Sequence, residues 1–131
     1  MTNTLKTIDP GKVRSLQRVT SADGYFLICA LDHLSDFQEL LDKDITKVSY
    51  QRTGEAKIEL IRALAGECSA FLLDARFGFA QAIVSGALPG SVGLMGSIED
   101  EDYKPSTATR KTRFRANRGT RQMKNAWDRC L

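Results

Sequence analysis

The sequence of 131 residues predicts an α/β fold built on a parallel sheet. Three observations carry that reading. Tyr25–Leu31, Glu67–Leu73 and Ser91–Ile98 are runs of strand length without the alternation of a strand that has one wet face, as expected for strands buried on both sides. Amphipathic helical segments separate these runs. Each run closes on an acidic residue, Asp32, Asp74 or Glu99, at the strand end where parallel α/β folds bind their ligands.

The elements follow in order. Val13, Leu16 and Val19 are spaced for a short amphipathic helix over Pro10–Val19, with Asp9 as its cap and Pro10 at its first position. Ser21–Gly24 reads as a turn, and Tyr25–Leu31 as the first strand. Over His33–Asp44, the residues Leu34, Phe37, Leu40 and Leu41 share one helical face. A second inter-strand helix spans Gly54–Gly66, with Ile58, Ile61, Leu64 and Ala65 on one side. Glu67–Leu73 is the second strand. Phe77–Leu88 is a short helix ended by Gly86 and Pro89-Gly90. Ser91–Ile98 is a third strand, weakened by two glycines. Doubly wound and barrel folds both satisfy this order, but no G-x-G-x-x-G follows the first strand to support a dinucleotide site.

Composition narrows the class. An apolar fraction of 42% with 27% charged residues is that of an ordinary globular domain. No apolar run approaches the roughly 20 residues of a membrane span, and Met1–Pro10 lacks the apolar core of a signal peptide. Cys29, Cys68 and Cys130 are odd in number and irregular in spacing, which argues against a disulfide framework and fits a cytoplasmic location. The net charge of +3 hides an asymmetry: residues 1–103 carry 10 basic and 15 acidic side chains, whereas residues 104–131 carry 9 and 1.

Three strand-end carboxylates could share one cleft, although Asp and Glu are also common after strands as loop residues and caps. Hard cations such as Mg²⁺ take carboxylate ligands. A zinc centre normally needs several histidines, and His33 is the only one. No nucleophile–base pair of the Ser-His or Cys-His kind has supporting spacing. The sequence therefore implies neither a bound metal nor a cofactor.

Phe26-Leu27-Ile28-Cys29-Ala30-Leu31-Asp32 resembles the first barrel strand of the class I tagatose-bisphosphate aldolases, to which sulfofructosephosphate aldolases are related. Ser69-Ala70-Phe71-Leu72-Leu73-Asp74-Ala75-Arg76-Phe77-Gly78 is similar to the family's second strand, and Val92–Glu99 followed by Tyr103 to its third. The matches keep the family's order and cover residues 10 to 103. The resemblance implies an incomplete TIM (β/α)8 barrel, about its first three βα units, over residues 1–131. It also implies retro-aldol cleavage of a phosphorylated ketose through a lysine Schiff base. Asp32 is the catalytic candidate, as a polar helper near the Schiff-base lysine. Asp74, Arg76 and Glu99 are the substrate-binding candidates.

Departures from the family pattern are specific. His33-Leu34 stands where Gln-Arg is usual, and Ala75 where Pro is common. The family's Schiff-base lysine lies on about the sixth strand, and a full barrel takes ~250 residues, so the chain as it stands is expected to be inactive. Open sheet edges predict self-association. The basic segment 104–131 interleaves Phe114 among Arg110, Lys111, Arg113 and Arg115, which offers a second, non-catalytic reading as a phosphate- or RNA-binding element. The acidic balance of the preceding hundred residues disfavours a nucleic-acid partner. Residues 125–131 lose the resemblance, and codons for Ala126–Cys130 read one base later can spell a family-like Leu-Gly-Thr-Asp-Ala, which suggests a change of reading frame there.

Overall fold

A computed structural model of the protein describes residues 9–98. Glu99, the basic segment 104–131 and residues 125–131 lie outside the described residues. The elements are α1 (Pro10–Val19), β1 (Ile28–Leu31), α2 (Ser35–Leu41), a 3-10 turn (Ile45–Lys47), α3 (Tyr50–Leu64), β2 (Ala70–Leu73), α4 (Phe79–Val84) and β3 (Gly93–Gly96). The three strands form one parallel sheet in the order β1-β2-β3. The α/β expectation is met at this level. Among the described residues no helix is long and apolar enough to cross a membrane.

Local chemistry sets the boundaries. Asp9 caps α1 by accepting from the Gly11 amide at 2.7 Å, and Pro10 fills the first turn, where a missing N–H costs nothing. The turn after α1 closes through Gly24, whose φ of +84° suits glycine. α3 begins four residues before the expected Gly54, because Ser49 caps it by accepting from the Arg52 amide at 3.1 Å. Gly54 lies inside the helix and fits against Phe77. Beyond α4 the Gly86 φ is +65°, and the Ala87 amide returns to the Ala82 carbonyl at 3.1 Å, which stops the helix at Val84, short of the expected Leu88.

The core lies between the sheet and the helices. Phe71 and Leu73 of β2 are fully buried and pack with Ile61 of α3 and Ala82 of α4. Cys29, Leu31 and Leu94 complete this side of the sheet. Alternation along a strand means that all five residues share one face, so α3 and α4 cover the same face. Ile28 and Ala30, on the opposite face of β1, are exposed.

One expectation is corrected. β1 is not buried on both sides: Tyr25, Phe26, Leu27 and Ile28 are 67, 55, 51 and 41% exposed. The cause is position, because β1 pairs only with β2 among the described residues and its outer edge is open.

α1 crosses the amino-terminal end of the sheet. The Ser69 hydroxyl donates to the Val19 carbonyl at 2.7 Å and accepts from the Leu27 amide at 2.9 Å, tying helix to sheet. Gly93 allows the close approach, since a Cβ there would collide with the Arg18 carbonyl oxygen and lie 2.9 Å from the Val19 Cα.

Candidate functional site

The carboxyl ends of the strands are level. Leu31, Leu73 and Gly96 are register partners, so Asp32, Asp74 and Ser97 follow at matched positions on neighbouring strands. Parallel strands about 4.8 Å apart therefore bring Asp32 and Asp74 to adjacent places on one rim. Their side chains go different ways.

Asp74 turns inward and is fully buried. Its Oδ1 accepts from the amides of Arg76 at 2.8 Å and Phe77 at 2.6 Å, folding the chain into the turn that starts α4. Its Oδ2 accepts from Lys57 Nζ in a buried ion pair. Gly78 makes room, because a Cβ there would meet that oxygen at 3.2 Å.

Lys57 comes from the middle of α3 and is itself fully buried. Besides Asp74, its ammonium donates to the carbonyls of Leu31 and His33, each at 2.7 Å. An ammonium has three N–H groups, and all three are used. The Phe37 ring stands 5.0 Å from the nitrogen and the Phe77 ring 6.0 Å, within cation–π range. One lysine thus fastens the end of β1, the loop after it and the end of β2. It is a structural clamp, with no donor left and no path for a carbonyl substrate.

Asp32 stays at the surface, its side chain 25% exposed beside a 60% exposed His33. The Oδ1–Nδ1 separation of 3.9 Å is too long for a hydrogen bond. Arg76 is also exposed, with its guanidinium carbon 4.9 Å from the centre of the Phe77 ring. Its carbonyl accepts from the Tyr50 hydroxyl at 2.8 Å and from Gln81 Nε2 at 3.3 Å. The Tyr50 ring packs on Phe77 at 5.2 Å, which fixes the loop from a second side.

Of the residues expected at the site, Asp32 is half-buried and Arg76 exposed, on the β1 and β2 connections at this rim. Asp74 is present but faces the interior, and Glu99 lies outside the described residues. The image of three carboxylates converging on one cleft therefore reduces to one half-buried carboxylate that reaches solvent beside a fully buried, ion-paired one. Sequence reasoning passed over Lys57. Its signal was readable, because Thr53, Gly54, Lys57 and Ile61 are the buried stripe of α3, and a lysine inside such a stripe needs a buried counter-charge. Among the described residues no group of three or more His, Cys, Asp or Glu side chains could hold a metal ion.

No protein-family model matches the chain, and a comparison with curated proteins gives no significant match.

Proposed function

We propose that the chain supplies the first three βα units of a (β/α)8 barrel of the class I tagatose-bisphosphate aldolase type, acting on a phosphorylated ketose. The observation that carries this reading is the half-buried Asp32 at the carboxyl end of β1, level with the Asp74-Ala75-Arg76-Phe77-Gly78 segment at the end of β2. These are the two segments that resemble the family most closely, and the rim of a parallel sheet is where barrel enzymes work. The sequential strand order, the helices gathered on one face and the open β1 edge also suit a sheet that closes on further strands.

In this reading Asp32 contacts the reacting ketose, and Arg76 offers a guanidinium to its phosphate. Asp74 is a positioning residue: with Lys57 it sets the turn that carries Arg76. Class I chemistry uses an imine of a lysine as the electron sink and needs no cofactor. Lys57 is not that lysine, because its three N–H groups are occupied.

Titration of the 131-residue chain with dihydroxyacetone phosphate, followed by amide chemical shifts, tests the proposal. Saturable shifts at Asp32, His33 and Arg76, weakened by Asp32→Asn, are expected. Shifts that leave this rim untouched contradict it.

A further inference from the structure

A cleft of about 390 Å³ opens at the amino-terminal end of the sheet, the end opposite Asp32 and Asp74. Arg14, Gln17, Arg18 and Thr20 line one side, and the loop Gly90–Gly93 lines the other. We propose that this cleft is a binding site for a small phosphate, either the free ion or a phosphomonoester.

The charge is one-signed. Arg14 and Arg18 are one helical turn apart and so share a face of α1. Among the described residues neither guanidinium has an ion pair or a hydrogen-bond partner. Among the described residues no carboxylate lines the cleft. Arg18 lies in the last turn of α1, where a cation also offsets the partial charge of the free carbonyls. Arg14 lies a turn earlier and gains little from that effect, so helix-end stabilisation does not account for the pair.

Neutral donors stand opposite. The amides of Gly90 and Ser91 have no acceptor among the described residues, and the Ser91 hydroxyl and Gln17 amide add further N–H and O–H groups. Two guanidiniums with spare backbone amides form a donor set suited to the oxygens of a phosphate.

The two walls are fixed relative to each other. Gly93 lets the end of α1 rest on the start of β3, and the Ser69 hydroxyl holds the Val19 carbonyl from the next strand. The Gly93 amide in turn donates to the Ser69 carbonyl at 2.8 Å. The separation of the arginines from the loop is thus set by packed backbone rather than by side chains alone, which limits the ordering cost of binding. None of this depends on the aldolase reading, which concerns the other end of the sheet.

The test is a chemical-shift titration of the full chain with inorganic phosphate and, separately, with dihydroxyacetone phosphate. Saturable shifts are expected at Gly90, Ser91 and the last turn of α1. The double variant Arg14→Gln/Arg18→Gln should weaken binding by roughly tenfold or more, the order expected when charge-assisted contacts are lost. Lys43→Gln/Lys47→Gln, the same loss of two positive charges outside the cleft, should leave it unchanged. Equal affinity for both probes assigns the free ion, and tighter binding of dihydroxyacetone phosphate assigns a phosphomonoester. Absence of saturable shifts, shifts confined to residues 104–131, or unaltered affinity in a folded double variant overturns the proposal. Shifts at Asp32 and His33 report separately on the aldolase reading.

Discussion

Replacing Lys57 with methionine isolates the clamp from the packing around it. Methionine keeps an unbranched apolar stem of similar length and removes only the ammonium. The change leaves Asp74 fully buried, its Oδ1 still held by two amides and its Oδ2 without the lysine. The carbonyls of Leu31 and His33 lose a donor each. Breaking a buried pair by deleting one partner costs about 3–5 kcal/mol. For a domain of this size each kcal/mol lowers the melting temperature by about 4–8 °C, so the expected drop is about 12–40 °C. That loss is a large part of a typical stability of about 5–15 kcal/mol. The assay is thermal and urea unfolding of wild type, Lys57→Met, Asp74→Asn and the double variant by circular dichroism. Asparagine keeps an oxygen for the amides of Arg76 and Phe77 and removes the stranded charge, so the double variant should be more stable than Lys57→Met alone, with a coupling of about 1–3 kcal/mol. A cost below about 1 kcal/mol for Lys57→Met, or strictly additive losses in the cycle, refutes the reasoning.

Three further outcomes are expected. Gly54→Ala should stabilise the chain by about 0.5–1 kcal/mol in urea unfolding: it sits inside α3, and a Cβ there would meet its nearest neighbour, the Phe77 carbonyl oxygen, at an ordinary 3.5 Å. Phe26→Lys should reduce concentration-dependent association in sedimentation velocity, because it puts a charge beside the exposed outer edge of β1. Burial first, then the charge and hydrogen bond of Cys68, push the Cys29 thiol above its ordinary value. Alkylation of Cys29 should therefore be slower in the folded than in the denatured chain, and Cys68→Ser should speed it. A raised thiol favours the fold fully below the ordinary thiol range, and this contribution is lost as pH rises through the folded value.

Much of the fold was legible because its signals are local. Asp9-Pro10 at the start of α1, Gly86 after α4 and the apolar runs of β1 and β2 each act within a few residues; α1 is found where the sequence places it, while β1, β2 and α4 lie within their expected ranges but are shorter, at Ile28–Leu31, Ala70–Leu73 and Phe79–Val84. The start of α3 was misplaced because Gly54 looks like a boundary, whereas the Ser49 cap starts the helix at Tyr50 and leaves Gly54 inside it. Burial of β1 was overestimated because an apolar run reveals its composition but not how many neighbours flank it. The site was only partly readable. Asp32 and Asp74 look alike in sequence, each closing an apolar run. What separates them is Lys57, 17 residues before Asp74, whose helical face decides which carboxylate turns inward. That partnership is tertiary, so no motif at either strand end announces it. The arginine cleft was missed for the same reason, since Arg14 and Gly90 meet only after α1 folds across the sheet.

Complementation tests whether the chain supplies the first units of an aldolase barrel. The chain would be co-expressed with units four to eight of a tagatose-bisphosphate aldolase barrel, and the purified assembly assayed for ketose-bisphosphate cleavage and for borohydride trapping with dihydroxyacetone phosphate. The expected result is a stable complex whose cleavage activity falls by about two orders of magnitude or more in Asp32→Asn, with the trapped label on the added partner and none on Lys57. Two folded partners that do not associate, or an active complex indifferent to Asp32, would contradict it.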